Sequence, residues 1–356
     1  MARVVKVLSI DGGGVRGIVP AMLVAELEQR TGRNAADLFD LIVGTSTGGV
    51  LALALTRPGP DGRPESTAAE LIRLGRHEGR RTLSCPLLQG LYPPAPWGGR
   101  ADPARTAELF LADRFGSARL SEALTGVLVT AYDVQRRRPF LFSSTDARTR
   151  AGSDFRMRDV ARAATASRGY VAPARVQAGA RAGWLTLVDG AVFANDPAAW
   201  ALAEATRSHP GEPGGEPGGG EPGGGEPGGG EPDGGEPDGG EPGGVLLVSL
   251  GTGRPRELVR GGPGGPAAAE PRRLLPYGGS GELRYYRLQT GLEQGDEAMD
   301  DARPAHVHEL ALRAETTIDE HDQTLDRIAA ELLAGSCDGL RHSALPVLSA
   351  STRAAP

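Results

Sequence analysis

The sequence predicts an α/β protein whose central sheet is mostly parallel and is flanked by helices on both faces. Apolar runs of strand length alternate along the chain with helical patterns, which is typical of a parallel sheet. Several of these runs are unbroken, as expected for strands buried on both faces. The 356 residues include only two cysteines and are enough to build a sizeable core without disulfide bonds.

The individual elements follow from apolar spacing and from turn residues. Strands are predicted at residues 4–10, 40–43, 126–132, 139–142, 184–188 and 245–250. Helices are predicted at residues 18–31, 47–56, 103–114, 196–207 and 316–334. We expect the last to be one helix because Ile318, Leu325, Ile328 and Leu332 recur at near-helical spacing before Gly335.

A repetitive Gly/Pro/Glu segment interrupts the folded part of the chain. Residues 211–244 contain 18 Gly, 7 Pro, 7 Glu and 2 Asp and have no apolar side chain to bury. Such a composition predicts a long disordered loop, and loop entropy grows slowly enough for one domain to tolerate it. We therefore expect a single domain over residues 1–340, with recognisable parts at 5–209 and 245–334. Residues 210–244 form its insertion, and 341–356 a flexible C-terminal tail.

Charge and composition exclude several classes of protein. The repetitive segment carries nine negative charges, so the rest of the chain has a net charge of about +3 and no field that favours nucleic acid. No apolar run reaches the roughly 18 residues of a membrane span, and the first residues do not have the pattern of a signal peptide. We expect a cytoplasmic protein that lies at most peripherally on membranes. No metal-ligand spacing is present, and the oligomeric state stays open.

A glycine-rich turn follows the first predicted strand. Residues 12–17 match G-x-G-x-x-G, a pattern found in dinucleotide sites but also in other anion-binding turns. The dinucleotide interpretation requires an acidic residue at the end of the second strand. Asp37 and Asp40 are near, but Asp40 begins that strand instead of ending it. The turn is therefore more compatible with another anion.

The second motif is a serine between a strand and a helix. Residues 44–48 read Gly44-Thr45-Ser46-Thr47-Gly48, which is the G-x-S-x-G of a nucleophile elbow. Small neighbours fit because the serine occupies a sharp, strained turn, and the following helix N-terminus favours developing negative charge. A tight turn that only needs small residues is the alternative interpretation.

A nucleophilic serine needs a base, and no histidine has a positioned setting. His209 abuts the repetitive segment, His306 and His308 alternate like residues of a strand, and His321 falls on the last predicted helix. The sequence offers Asp189 instead, at the end of a strand and followed by Gly190 and Ala191. Burial would raise the pKa of this carboxyl and make it a useful base. An Asp-Gly turn is the structural alternative.

Together these motifs resemble the patatin-like phospholipase family, which shows D-G-G-G-x-R-G, G-x-S-x-G and D-G-[AG] in this order. The resemblance covers residues 5 to 334 outside the insertion. It implies a three-layer fold and hydrolysis of acyl lipids, as in phospholipase A or lysophospholipase, by a Ser46–Asp189 dyad without cofactor or metal. The oxyanion hole would be formed by amides of Gly12, Gly13, Gly14 and Thr47, with Arg16 steadying either the loop or the oxyanion itself. The remaining motif residues are Gly17, Gly44, Gly48, Gly190 and Ala191.

Two stretches leave the substrate open. The family's A-T-S-A-A-P stretch corresponds here to residues 164–169, where Arg168 replaces an alanine and Gly169 the proline. We expect these changes to alter the pocket and leave the dyad intact. The run Arg136-Arg137-Arg138 is either a solvated turn or a contact for anionic headgroups of a lipid substrate at a membrane surface or micelle. A storage or scaffold protein with this fold is the non-enzymatic alternative, which intact Ser46 and Asp189 disfavour.

Overall fold

The computed structural model describes residues 3–72, 74–77, 80–83, 91, 103–167, 171–178, 183–208, 244–255 and 282–334. The strands are β1 (Val4–Ile10), β2 (Leu41–Thr45), β3 (Leu74–His77), β4 (Arg80–Leu83), β5 (Gly126–Asp133), β6 (Arg138–Ser143), β7 (Ala174–Gln177), β8 (Trp184–Asp189), β9 (Gly244–Leu250), β10 (Arg254–Pro255), β11 (Glu282–Leu288) and β12 (Gly291–Leu292). The helices are α1 (Ile18–Thr31), α2 (Ala35–Leu38), α3 (Thr47–Thr56), α4 (Ala68–Leu71), α5 (Pro103–Phe115), α6 (Ser144–Thr149), α7 (Met157–Ala164), α8 (Ala198–Ser208), α9 (Pro304–Glu320) and α10 (Asp322–Leu333). No helix in these ranges is both long and apolar enough to span a bilayer.

An eight-stranded mixed sheet organises the fold. Its strands run in the order β11-β9-β1-β2-β5-β8-β7, and β6 pairs with β5. The five strands from β11 to β5 are parallel, whereas β6, β7 and β8 join through antiparallel pairs. The predicted fold class, an α/β fold with a mostly parallel central sheet, is confirmed.

Apolar side chains of β1 face both sides of the sheet and so define three layers. Leu8 and Ile10 belong to the larger core, which includes side chains of α1, α3, α7, α9 and α10. Val5 and Val7 belong to a smaller core beneath α8. Burial on both faces explains why the runs at the centre of the sheet are continuously apolar.

The strands β2 and β8 meet end to end along one edge of β5. Thr45, the last residue of β2, pairs with Thr130, and Asp189, the last residue of β8, pairs with the next residue, Ala131. The opposite edge of β5 is occupied by β6, since Ala131 also pairs with Phe140. This register brings the residue after β2 and the last residue of β8 to one point at the carboxyl edge of the parallel strands.

Four differences from the sequence predictions concern helix and strand assignments. Residues 316–334 do not form one helix, because α9 ends at Glu320 and α10 begins at Asp322. His306 and His308 are helical residues of α9 and not strand residues. The strand β11 was not predicted, because its sequence ELRYYRL is mostly polar, as an edge strand with half-buried side chains allows. Gly244, which was counted with the insertion, already belongs to β9.

The insertion over residues 210–243, the C-terminal tail and the pair Arg168-Gly169 lie outside the described residues. The predicted domain organisation therefore stays a prediction.

Candidate active site

Ser46 lies in the turn between β2 and α3 with a strained backbone. Its φ is 55° and its ψ is −126°, in a region that residues with a side chain rarely adopt. The flanking glycines are required by close packing. A Cβ on Gly44 would lie 2.2 Å from the carbonyl oxygen of Gly48, and a Cβ on Gly48 would lie 2.5 Å from that of Ile10. The local geometry is that of a nucleophile elbow.

The Ser46 hydroxyl donates a hydrogen bond to the Asp189 carboxylate. Oγ lies 2.7 Å from Oδ2, and both residues are almost fully buried. The end-to-end arrangement of β2 and β8 produces this contact. The absence of a side chain at Gly190 also permits this contact. A Cβ there would lie 2.2 Å from Oγ1 of Thr130 and would push the end of β8 away from β5.

The Asp189 carboxylate accepts two further hydrogen bonds. The amide of Ala191 donates to Oδ1 at 2.9 Å, and the hydroxyl of Ser167 donates to Oδ2 at 2.6 Å. Burial raises the pKa of Asp189, while the hydrogen bonds from Ser167, Ala191 and Ser46 oppose that rise. The result is a carboxylate that holds a proton more readily than an exposed aspartate does, beside a serine hydroxyl.

The glycine-rich turn of residues 12–14 lies against the same serine. A Cβ on Gly12 would lie 3.1 Å from the Cβ of Ser46. Asn195 and Thr252 hold the turn in place. The Gly12 amide donates to the Asn195 carbonyl at 3.0 Å, and the Gly12 carbonyl accepts from Thr252 Oγ1 at 2.8 Å. The Gly12 amide is thus engaged, contrary to the expectation that it is one of the oxyanion donors.

Three other amides at this point have no hydrogen-bond acceptor within the described part of the chain. They are those of Gly13, Gly14 and Thr47, the last being the first residue of α3. Gly14 has a φ of 61°, and a Cβ there would lie 1.9 Å from the carbonyl oxygen of Met299. Only glycine fits this position, because a side chain there would collide with the backbone of Met299.

Arg16 folds back on the glycine-rich turn instead of extending into solvent. Its Nε donates to the Gly13 carbonyl at 3.5 Å, and the residue is buried within the short helical turn Gly14–Gly17. Burial lowers the pKa of Arg16, and the nearby carboxylates of Glu297 and Asp11 oppose that effect. The position suits a cation that steadies the turn.

Asp11 is fixed by Arg287, which sequence reasoning did not single out. Arg287 reaches from β11 across β9 to both carboxylate oxygens of Asp11, with Nη1 2.8 Å from Oδ1. Its Nη1 also donates to Ser249 Oγ at 2.7 Å. Burial raises the pKa of Asp11 to about 6, although Arg287 pulls it downwards. The first residue of the D-G-G-G motif is therefore tied to the outermost strand.

Comparison with known proteins assigns the chain to a family. The family model for patatin-like phospholipase matches residues 8–202, which include the glycine-rich turn, Ser46 and Asp189. The chain belongs to the patatin-like phospholipase family.

Among its relatives are patatin-like protein 2 of Arabidopsis thaliana, 33% identical over 224 residues, and patatin of Solanum tuberosum, 32% identical over 218 residues. These alignments cover 57% and 58% of this chain, and 53% and 54% of the relatives. Patatin-17 of Solanum cardiophyllum is 33% identical over 218 residues, covering 58% of this chain and 54% of the relative. The chain thus spans about half the length of the curated relatives it matches.

The patatin match ends before β9 and β11. The Thr252 and Arg287 contacts therefore lie beyond the matched residues, and the predicted resemblance over 245–334 stays a prediction. A sequence signal for Arg287 existed in the stretch YYRLQ, but nothing in one sequence indicates that its arginine reaches Asp11.

Three of the six histidines of this patatin-like chain have described side chains, and none of these three has a hydrogen bond to Ser46 or Asp189 within the described residues. His306 Nε2 lies 3.1 Å from the Ala298 carbonyl oxygen, and His321 Nδ1 lies 2.9 Å from that of Thr317. His308 is exposed on α9. The side chains of His77, His209 and His342 are outside the described part of the chain.

The acidic residue of the dinucleotide alternative lies at the wrong edge of the sheet. Asp40 precedes β2 and accepts from the Lys6 amide at 2.8 Å, near the amino ends of the parallel strands. The glycine-rich turn follows β1 at the carboxyl ends, so Asp40 cannot reach a ribose bound there.

Proposed function

We propose that this chain is a lipid acyl hydrolase of the phospholipase A or lysophospholipase type, with Ser46 as nucleophile and Asp189 as base. The hydrogen bond from Ser46 Oγ to Asp189 Oδ2 on a strained elbow is the observation that carries this proposal. Membership in the patatin-like phospholipase family supports a lipid ester as the substrate.

The proposed acylation begins when Ser46 Oγ attacks the ester carbonyl carbon and its proton passes to Asp189 Oδ2. The carbonyl oxygen becomes an oxyanion that accepts from the amides of Gly13, Gly14 and Thr47, near the positive end of α3. The intermediate collapses, the bond to the alcohol breaks, and Asp189 returns the proton to the leaving oxygen. A covalent acyl-serine remains.

Deacylation reverses these roles. Asp189 accepts a proton from a water molecule as that water attacks the acyl carbonyl, and the same amides hold the second oxyanion. The bond to Ser46 Oγ then breaks, Asp189 gives the proton to Ser46, and the fatty acid leaves. Atoms and charge balance with one water consumed per ester.

A fluorophosphonate probe tests the assignment of the nucleophile. We expect labelling of the wild type at Ser46, mapped by peptide mass spectrometry, and none for Ser46→Ala. The matched control is Ser208→Ala on α8, which should label like the wild type. Labelling of Ser46→Ala at wild-type rate would overturn the proposal. Profiling of the fatty acids and lysolipids released from a mixed lipid extract would then define the ester attacked.

We further propose that the edge of the sheet around Ser46 approaches a lipid surface through the turn between β5 and β6. Val134 in this turn, Trp184 and Val192 are partly exposed large apolar residues near the carboxyl ends of the parallel strands. Arg137 and Arg138 are exposed beside them, and Arg137 has a positive φ of 51°. Exposed apolar and cationic side chains together suit an interface with anionic lipid.

Residues 293–301, which contact the glycine-rich turn through Met299, carry five carboxylates, of which Asp296 pairs with Arg313 and Asp301 with Arg303; we do not expect this segment to face an anionic surface. The test is flotation of the Ser46→Ala protein with vesicles of phosphatidylcholine alone or mixed with phosphatidylglycerol. We expect binding only to the mixed vesicles, and its loss in Arg137→Gln/Arg138→Gln. The control, Arg3→Gln/Arg33→Gln, removes equal charge near the amino ends of the strands. Equal binding by both double variants would contradict the proposal.

A further inference from the structure

Asp189 Oδ2 is shared by two serine hydroxyls. Ser46 Oγ donates at 2.7 Å and Ser167 Oγ at 2.6 Å to the same oxygen, while the Ala191 amide holds Oδ1. A proton that leaves Ser46 therefore arrives at an oxygen already bound by Ser167. Ser167 is therefore hydrogen-bonded directly to the carboxylate that we assign as the base.

We propose that Ser167 is a positioning residue for the base: its hydroxyl fixes the Asp189 carboxylate with Oδ2 towards Ser46 and favours its ionised form. This inference rests on the proposed function of the Ser46–Asp189 pair. Ser167 does not touch the reacting ester in this scheme, and it acts only through Asp189.

The backbone around Ser167 explains how its hydroxyl is held in place. The segment after α7 is joined to β8 by the hydrogen bond from the Asp189 amide to the Ala166 carbonyl, at 3.1 Å. Ser167 is the next residue, half-buried, and its own amide donates to the Thr165 carbonyl at 2.9 Å. Because the backbone of the preceding residue, Ala166, is bound to Asp189, the Ser167 hydroxyl is held beside the carboxylate.

The physical effect follows from the charge of the acceptor. A hydroxyl donates a stronger hydrogen bond to a carboxylate than to a neutral carboxylic acid, so Ser167 stabilises the ionised form. Burial acts in the opposite direction and raises the pKa of Asp189. Ser167 thus keeps a buried base ionised at pH values where burial alone would protonate it.

Charged groups on the elements packed against β8 are engaged elsewhere within the described residues. Arg175 on β7 lies over the ring of Trp184, with its Cζ 5.2 Å from the ring centroid. Asp133 on β5 pairs with Arg136 at 2.8 Å, and Arg162 on α7 pairs with Glu108 at 2.8 Å. The remaining charged residues of α7 are Arg158 and Asp159, which pair with each other at 3.7 Å. The ionisation of Asp189 is governed here by burial and by its three donors.

The pH dependence of fluorophosphonate labelling at Ser46 tests the inference without an identified lipid. In the wild type, the labelling rate should fall on the acidic side as Asp189 is protonated. In Ser167→Ala this acidic limb should move to higher pH by about one unit, because the ionised form loses a donor. Ser167→Thr keeps the hydroxyl and should restore the limb. Thr165→Val removes a hydroxyl that binds only backbone carbonyls, and it should leave the limb unchanged.

A second measurement keeps the inference falsifiable if Ser167→Ala labels poorly or misfolds. The carboxyl ¹³C signal of Asp189, assigned by its loss in Asp189→Asn, is titrated in Ser46→Ala, in Ser46→Ala/Ser167→Ala and in Ser46→Ala/Ser167→Thr. We expect the higher midpoint in the alanine double variant and a restored one with threonine. Identical midpoints in all three, or an unmoved acidic limb in Ser167→Ala, would overturn the role of Ser167. Absence of labelling in the wild type would instead overturn the proposed nucleophile.

Discussion

Ser46 and Asp189 are neighbours because the two strands that carry them end against adjacent residues of a third. Thr45 pairs with Thr130, and Asp189 pairs with the next residue, Ala131. Ser46, which follows β2, therefore meets Asp189, which ends the antiparallel strand β8. Their separation of 143 positions in sequence is bridged by the register of β5 alone.

Asp189→Asn should abolish turnover while leaving the fold intact, because asparagine has nearly the same size but cannot accept the serine proton. Loss of a general base typically slows a reaction by about 10²- to 10⁴-fold. In the wild type, burial raises the pKa of Asp189, so activity should fall as pH drops through a midpoint above the ordinary aspartate value.

The pH–rate profile on a p-nitrophenyl ester should show this single acidic limb. His→Gln variants of the six histidines, made one at a time, serve as controls and should retain activity. One histidine variant as inactive as Asp189→Asn, with an unchanged circular dichroism spectrum, would replace the dyad with a triad.

Ser46→Ala should lower ester hydrolysis by about 10³-fold or more, since loss of a nucleophile typically has at least this effect. The elbow should keep its backbone conformation with alanine, because both residues carry a Cβ at φ 55°, although the buried Asp189 carboxylate loses one of its three donors. Thermal unfolding and hydrolysis are measured on the same preparation. More than a tenth of wild-type activity would exclude Ser46 as the nucleophile.

The elements at the centre of the fold could be predicted because local signals agree with the final structure. β1 and α1 have the predicted bounds, since an unbroken apolar run and an apolar helix end at Asp11 and Gly32. The elbow was predictable because its glycines are required by contacts within the turn itself and with β1. Asp189 was predictable as the last residue of a strand, but its distance from Ser46 was not.

Contacts between distant segments could not be predicted from one sequence. The role of Arg287 could not be predicted, because its edge strand is polar and lacks an apolar pattern, and because its partner Asp11 lies 276 positions away. The contact of Ser167 with Asp189 could not be predicted, because it depends on a hydrogen bond between β8 and the segment that follows α7. The break at His321 was missed because apolar spacing continues in phase through both helices, as Ile318 and Leu325 show.

Gly13→Ala should reduce activity much more than stability, because it displaces the amides that we propose as oxyanion donors. The added Cβ would lie 2.4 Å from Thr252 Oγ1, on the protein side of the turn, so the turn itself must shift. Loss of one oxyanion donor costs about 3–4 kcal/mol of transition-state stabilisation. Gly32→Ala is the control: its φ of 66° makes alanine strained at the end of α1, but a Cβ there meets nothing within 4 Å, so it should lower stability and leave activity unchanged. Equal losses of activity in both variants would contradict a specific role for the turn.

Arg287→Met should destabilise the fold because it leaves the buried Asp11 carboxylate without its cation. Breaking one side of a buried pair typically costs about 3–5 kcal/mol. Asp11→Asn added to Arg287→Met should recover part of this loss, since the buried carboxylate is gone and only the partly exposed Asp196, 3.5 Å from Arg287, still lacks its cation. A double-mutant cycle by chemical denaturation measures the coupling. Additive effects of the two changes would show that the pair does not link β11 to the glycine-rich turn.

Glu28 should make the stability of the fold depend on pH between about 4.5 and 7. Its carboxylate is buried and accepts from the amides of Ala35 and Ala68, at 2.9 and 2.7 Å. Burial raises the pKa of Glu28 to about 7, whereas an unfolded glutamate titrates near 4.5. The folded state therefore binds more protons in this window. The stabilisation from Glu28 is complete below the pKa that this carboxyl has in the unfolded chain. It is lost as pH rises through the pKa of Glu28 in the folded protein.

Glu28→Gln should remove this dependence, because glutamine does not titrate. Relative to the variant, the wild type should lose about 3 kcal/mol of unfolding free energy between pH 4.5 and 8, as a shift of this size implies. Urea unfolding at a series of pH values measures the difference, and Glu108→Gln, at a half-exposed carboxylate paired with Arg162, is the control. Parallel curves for the wild type and Glu28→Gln would show that Glu28 keeps its ordinary ionisation in the folded protein.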